Sequence, residues 1–225
     1  MRSESPYEHD TLVALLPHIE RESLYNWYLK SSPGRLDYLR MQIPAYVNPL
    51  DPSMGMRNPA FVWGNISPVR LSVSSYALNA QFFAFYPRMS RMTDGAAQTI
   101  WLSEHYAWNC NRTTFIYTIG ASNKWDTQPP TFANGGSMGG RPAPGDYYPI
   151  TSGNPPTSVA AEGKTFQVRP TIDGCDPRLP NASSTRGLQI ALGDGAVRIL
   201  APSISPQIFW GMVTPGGGEV VALPD

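Results

Sequence analysis

Asp194-Gly195, set between the alternating runs Leu188-Gln-Ile-Ala-Leu192 and Val197-Arg-Ile-Leu200, constrains this chain more than any other feature. Asp-Gly flanked by apolar alternation is the strongest short-range signal for a β-hairpin. A two-residue turn at Asp194 and Gly195 sets Leu192 opposite Val197 and Ile190 opposite Ile199. Those four residues then share one face, while Gln189, Ala191 and Arg198 take the other. One face of this hairpin needs cover, and what covers it decides what the chain does.

A length of 225 residues suffices for one core, or for one core with a decorated insertion. Formal net charge is zero, from 17 basic and 17 acidic residues, and no Lys/Arg run is present. That balance removes the electrostatic footprint of a nucleic-acid binder. Twenty-three prolines and 20 glycines, with only 15 % charged residues, read as short strands joined by long ordered loops. Disorder needs the opposite, low hydrophobicity with high net charge. Cys110 and Cys175 are too few for a disulfide scaffold, and no Cys-x-x-Cys points to zinc or redox work. They are either two buried thiols or one disulfide. A bond between them closes a loop of roughly 65 residues, is worth about 4 kcal/mol on chain-entropy grounds, and requires an oxidising compartment. No apolar run reaches the length of a membrane span, and Met1 to Asp10 has no signal-peptide core.

Along the chain, Asp10 is placed to cap a helix with Leu12, Leu15, Leu16 and Ile19 at helical spacing. Pro17 interrupts it, which predicts a kink or two short helices, with the apolar face continuing through Leu24, Trp27 and Tyr28 to about Lys30. Arg35 to Arg40 suggests another helical turn, and Met41 to Pro49 an edge strand or extended segment. A central strand is expected around Ser74–Gln81, a second Asp-Gly turn at Asp94-Gly95, and a buried strand over Gln98–Tyr106. Short strands are expected within Thr114–Ile119, Lys164–Arg169 and Val220–Leu223. Ser205-Pro206 reads as the cap and first position of a last helix. Residues 126–163 hold seven prolines, seven glycines and four charges, a loop-rich insertion in an otherwise single domain spanning 1–225.

Gly135-Gly-Ser137-Met-Gly139 satisfies the Gly-x-Ser-x-Gly pattern of a hydrolase nucleophile. That chemistry needs a strand before Ser137 and a helix after it, and the Pro/Gly-rich surroundings offer neither. His9, His18 and His105 have no metal-ligand spacing. Glu104 and His105, adjacent on a predicted strand, point to opposite faces. Asp173-Gly-Cys-Asp176 offers two carboxylates to a calcium ion, which turn chemistry explains equally well. The aromatics Trp63, Trp101, Trp108, Trp125, Trp210, Tyr147 and Tyr148 are candidates for a glycan platform, against the ordinary role of packing.

Several blocks in order resemble the large planctomycete family of pilin-like proteins, relatives of the type II secretion pseudopilins, known mainly as a domain of unknown function. Leu15-Leu-Pro-His-Ile-Glu20 with Leu24-Tyr25 is similar to the family's LLPYLEQ…LY. Ile43-Pro-Ala-Tyr-Val-Asn-Pro49 with Asp51-Pro52 is similar to IPTYLCPSDP, and Ser75-Tyr-Ala-Leu-Asn79 to SYAAN. Met92 to Ile100 with Glu104 is similar to DGTSNTI…AE, followed by Phe166-Gln-Val, Cys175-Asp-Pro177 and Leu188 to Arg198. The series covers most of the chain except the insertion. Three departures stand out. Ser184 occupies the histidine of the family's His-x9-Asp-Gly signature, Asn48 occupies its cysteine, and the prepilin cleavage motif with its long apolar helix is not in the sequence.

The resemblance implies an α+β fold, a pilin-like head with an antiparallel β-sheet, short N-terminal helices and long Pro/Gly-rich loops. Ser184, Gly187, Asp194 and Gly195 are its structural motif residues, and Cys110 and Cys175 its possible disulfide. It implies a non-enzymatic structural component of the cell envelope, or of a type II secretion or type IV pilus-like system. Such a component sits outside the cell or in its envelope, partners other pilin-like or envelope proteins, and has no cofactor, metal, nucleic-acid partner or membrane segment within these residues. The alternative is an extracellular binding module for a glycan or protein; a hydrolase using Ser137 comes third. The kinship is staked on the hairpin: Leu192 and Val197 on different sides of the sheet, or a helix in that stretch, take away the pilin kinship and all that is inferred from it.

Overall fold

A computed structural model of the chain describes residues 11–30, 41–55, 72–83, 89–107, 116–117, 127–128, 131–133, 163–176 and 179–218. Its helices are α1 (Thr11–Ala14), α2 (Glu22–Lys30), α3 (Ala80–Phe83) and α4 (Pro206–Val213). Its strands are β1 (Tyr76–Asn79), β2 (Ile100–Glu104), β3 (Ile116–Tyr117), β4 (Thr127–Gln128), β5 (Thr131–Phe132), β6 (Gln167–Val168), β7 (Asn181–Ala182), β8 (Leu188–Leu192) and β9 (Val197–Leu200). The main sheet runs β5-β1-β2-β8-β9, and the four strands from β1 to β9 pair antiparallel. The class is therefore α+β.

Local chemistry explains the helix boundaries. Pro17 lacks an amide proton, and the N-terminal helix breaks there into α1 and a 3₁₀ turn over Leu16–Ile19. At the other end Ser205 Oγ accepts the Ile208 amide (3.3 Å) with Pro206 at the first helical position, as the sequence predicts. Gln98–Tyr106 contains β2, Thr114–Ile119 contains β3 and Lys164–Arg169 contains β6. Met41–Pro49 is extended only at its flanks, because Pro44 starts a 3₁₀ turn closed by Tyr46 N–H to Ile43 C=O (3.0 Å). The expected strand over Ser74–Gln81 stops at Asn79, whose Oδ1 accepts the Gln81 amide (2.9 Å) and starts α3. Within the insertion, Thr131–Phe132 is not loop but a parallel edge strand beside β1, with Phe132 and Ala133 buried. The turn foreseen at Arg35–Arg40 and the strand at Val220–Leu223 lie outside the described residues.

The hairpin forms, but its register differs by one residue from the expectation. Ala191 faces Val197, Ile190 faces Arg198 and Leu188 faces Leu200. Leu192 N–H bonds to Ala196 C=O (2.8 Å), and Gly195 N–H returns to Leu192 C=O (3.0 Å). The loop thus has three residues, Gly193, Asp194 and Gly195, and among them only Gly195 is left-handed, at φ +88°. A two-residue turn would force Asp194 left-handed as well, a strain the longer loop avoids. Gly193 joins the loop because its backbone is spent elsewhere. Its amide bonds to Thr99 C=O (3.0 Å), and it packs so close to Trp101 that a Cβ would sit 2.8 Å from Nε1.

The consequence is a sheet with two apolar faces. Ala77, Ile100, Leu188, Ile190, Leu192 and Leu200 pack under α4 against Phe209, Met212 and Val213. Leu192 and Val197 stand on opposite faces, 2 % and 61 % exposed, so the condition set on the pilin kinship is not met by this hairpin. On the second face Leu78 packs against Leu12, Leu16, Ile43 and Tyr46.

Candidate functional site

Cross-strand pairing draws one apolar row over the second face: Leu78 beside Leu102, Leu102 beside Ala191, Ala191 beside Val197. Its cover stops half-way. Leu78 is buried under the N-terminal helices, Leu102 and Ala191 are half-buried, and Val197 is open to solvent. In the next row Gln189 and its partner Ile199 are exposed too, Ile199 at 54 %. Where cover ends there is a groove of ≈ 280 Å³ between Leu12, Leu15 and Tyr46 on one wall and Leu102, Ala191 and Val197 on the other. Among the described residues, its lining includes no carboxylate, imidazole or thiol. Such a lining suits shedding water from an apolar segment, with Tyr76, Ser103 and Gln189 among its polar members.

Buried polar contacts tie together the segments that flank the groove, reaching its lining at Gln189 and at the Tyr46–Leu12 bond. Asp51 Oδ1 accepts the Ser53 amide (2.9 Å) and Ser53 Oγ (2.6 Å). Its Oδ2 accepts Ser75 Oγ (2.7 Å) and the Ala107 amide (2.8 Å). Glu104 Oε1 accepts Asn48 Nδ2 (2.5 Å), and Oε2 accepts the Gln189 amide (3.1 Å), tying the 3₁₀ segment to β2 and β8. Burial raises the Glu104 carboxyl above the usual range, and the nearby Asp51 charge adds to this, against the hydrogen bonds from Gln189, Ser183 and Asn48. Tyr46 donates to Leu12 C=O (2.5 Å) and is also raised by burial. Asn79 Nδ2 donates to Ile100 C=O (2.8 Å) and Val213 C=O (2.7 Å), joining β1 and β2 to the end of α4. Tyr106, pushed up to about 12 chiefly by burial, donates to Pro170 C=O (2.9 Å).

These contacts join the sequence blocks that carry the family resemblance. Asn48 and Asp51, Ser75, Glu104 and Gln189 come from four separate blocks and are joined by hydrogen bonds, while Asn79 makes its bonds on the α4 side of the sheet. Asn48, standing where the family has cysteine, spends its amide on Glu104 and its Oδ1 on the Leu50 amide (2.9 Å). The sequence marks these positions without revealing their role, because the partners lie far apart along the chain.

The other named residues separate clearly. Ser184 Oγ accepts the Arg186 amide (3.2 Å) and Ser184 bridges to Gly187, so it serves a tight turn. Gly187, at φ +134°, lies against β9, where a Cβ would come within 2.0 Å of Leu200 C=O. Asp194 Oδ1 accepts the Ala196 amide (2.9 Å) and supports the hairpin loop. Cys175 is buried and disulfide-bonded, which decides for it between thiol and bond; Cys110 lies outside the described residues. So do Ser137, Trp63, Trp108, Trp125, Tyr147, Tyr148 and His9. Trp101 stacks on Phe82 (5.1 Å), and Trp210 packs edge-on against Phe209 (5.0 Å) while donating to Lys164 C=O (2.8 Å). Both are packing residues. Compared with protein-family models, curated proteins and solved structures, the chain matches none.

Proposed function

We propose that this chain is a non-enzymatic structural head that works by docking an apolar helix across the open half of its sheet. The carrying observation is the row Leu78–Leu102–Ala191–Val197, apolar along its whole length and covered along half of it. Finishing that cover removes apolar surface from water, worth about 25 cal/mol per Å². The carboxylates of Asp51 and Glu104 are consumed as acceptors in the interior, which supports a scaffold role over acid–base work.

Its narrower form is a pilin- or pseudopilin-like component of the envelope or of a secretion or pilus-like system. Two observations support that form in place of the hairpin register. The resemblance blocks are the ones that build the buried network, and the disulfide at Cys175 suits an oxidising compartment. The alternative of a glycan-binding module loses Trp101 and Trp210, both committed to packing. N-terminal sequencing and intact mass of the protein isolated from its own cells test the narrow form. An apolar helical segment ahead of Thr11 supports it; a native protein starting at Met1, unassociated with any envelope complex, contradicts it.

A further inference from the structure

Among the described residues, strand β9 is a free edge of the main sheet. The Leu192–Ala196 hydrogen bond sets the phase of its ladder, because bonded and non-bonded pairs alternate in antiparallel strands. Ile190–Arg198 and Leu188–Leu200 are then the bonded pairs, and Val197 and Ile199 turn their backbone N–H and C=O groups outward. The same two residues expose their side chains, at 61 % and 54 %. An edge with outward amides and apolar side chains at alternate positions is a template for a further strand. Natural edges are normally blunted by charge, and β9 carries one, Arg198, which is exposed on the α4 side.

The arginine selects the occupant. The two-fold antiparallel register that uses the outward groups of both Val197 and Ile199 sets Arg198 directly opposite its own copy. Like charges directly opposite are unfavourable, so a second copy of this chain is rejected. We propose that β9 takes up an extended segment of a partner protein with the pattern apolar–acidic–apolar. Its apolar residues lie beside Val197 and Ile199 on the open face, and its carboxylate pairs with Arg198 on the α4 side. Main-chain hydrogen bonds hold the segment, and the single charge sets partner and register. This goes beyond helix docking in the groove, since it uses the strand edge and a residue on the opposite face.

The test titrates the full chain into fluorescein-labelled peptides of alternating valine and glutamate, or valine and lysine, followed by anisotropy and by ¹⁵N amide shifts. The valine–glutamate peptide is expected to bind about fivefold or more tighter, the weight of one paired against one opposed cross-strand charge. Amide shifts should concentrate at Val197 and Ile199. Arg198→Glu, at an exposed position that leaves the fold intact by circular dichroism, should invert the preference. Absence of binding, equal binding of both peptides, or a preference unmoved by Arg198→Glu overturns the proposal. Because Arg198 is not on the groove side, Arg198→Glu leaves helix docking intact, so the two ideas fail separately.

Discussion

Gly187 and Gly195 are both left-handed glycines, yet they differ in what surrounds them. A methyl added at Gly195 would meet no described atom within 4 Å, so Gly195→Ala costs only the backbone term, about 1–2 kcal/mol. At Gly187 a methyl also collides with the Leu200 carbonyl, and Gly187→Ala should cost more than about 3 kcal/mol. Urea unfolding of the two variants checks the order. Glu104 gives a pH signature. Its folded pKa is raised, so its contribution to stability is full below the unfolded pKa and is lost as pH rises through the folded value. Glu104→Gln removes this dependence and turns one acceptor into a donor facing a donor. The gap in Tm between native protein and variant should be widest in acid and narrow towards neutral pH. A gap that widens with pH contradicts the assignment.

At the scale of elements, α4 holds the covered face. Phe209→Ala, at a fully buried position, should cost about 3–5 kcal/mol, while Ser205→Ala, which loses only the cap, should cost about 1 kcal/mol. Chemical denaturation separates them. The cap, the break at Pro17 and the existence of the hairpin are legible in the sequence because each is decided by neighbours along the chain. The register is not, since Gly193 enters the loop through contacts with Thr99 and Trp101 on another part of the sheet. The parallel pairing of β5 with β1 is equally non-local, and Thr131–Phe132 offers no period to read beside Pro129 and Pro130. The groove escapes for the same reason. A two-residue turn puts Val197 and Ile199 on the buried face with Leu192, and only the longer loop turns them outward.

For the whole molecule, the described residues form two larger cores separated by one sheet, the α4 side sealed as far as exposed Arg198 and the N-terminal side half-sealed. Disulfide-bonded Cys175 packs beside Tyr106, whose hydroxyl donates to Pro170 C=O, so this cluster holds the segment around β6 near the end of β2. Reduction should lower stability by about 2–4 kcal/mol, read as a drop in Tm with reductant and no loss of secondary structure at low temperature. The open half-face is tested most directly by methyl NMR of the full chain titrated with a soluble alanine/leucine-rich helical peptide. Saturable shifts at the Leu102 and Val197 methyls, with Leu188 and Leu200 under α4 unmoved, are the expected result. Unchanged spectra at Leu102 and Val197, or shifts spread evenly over both faces, would contradict docking at the half-covered sheet.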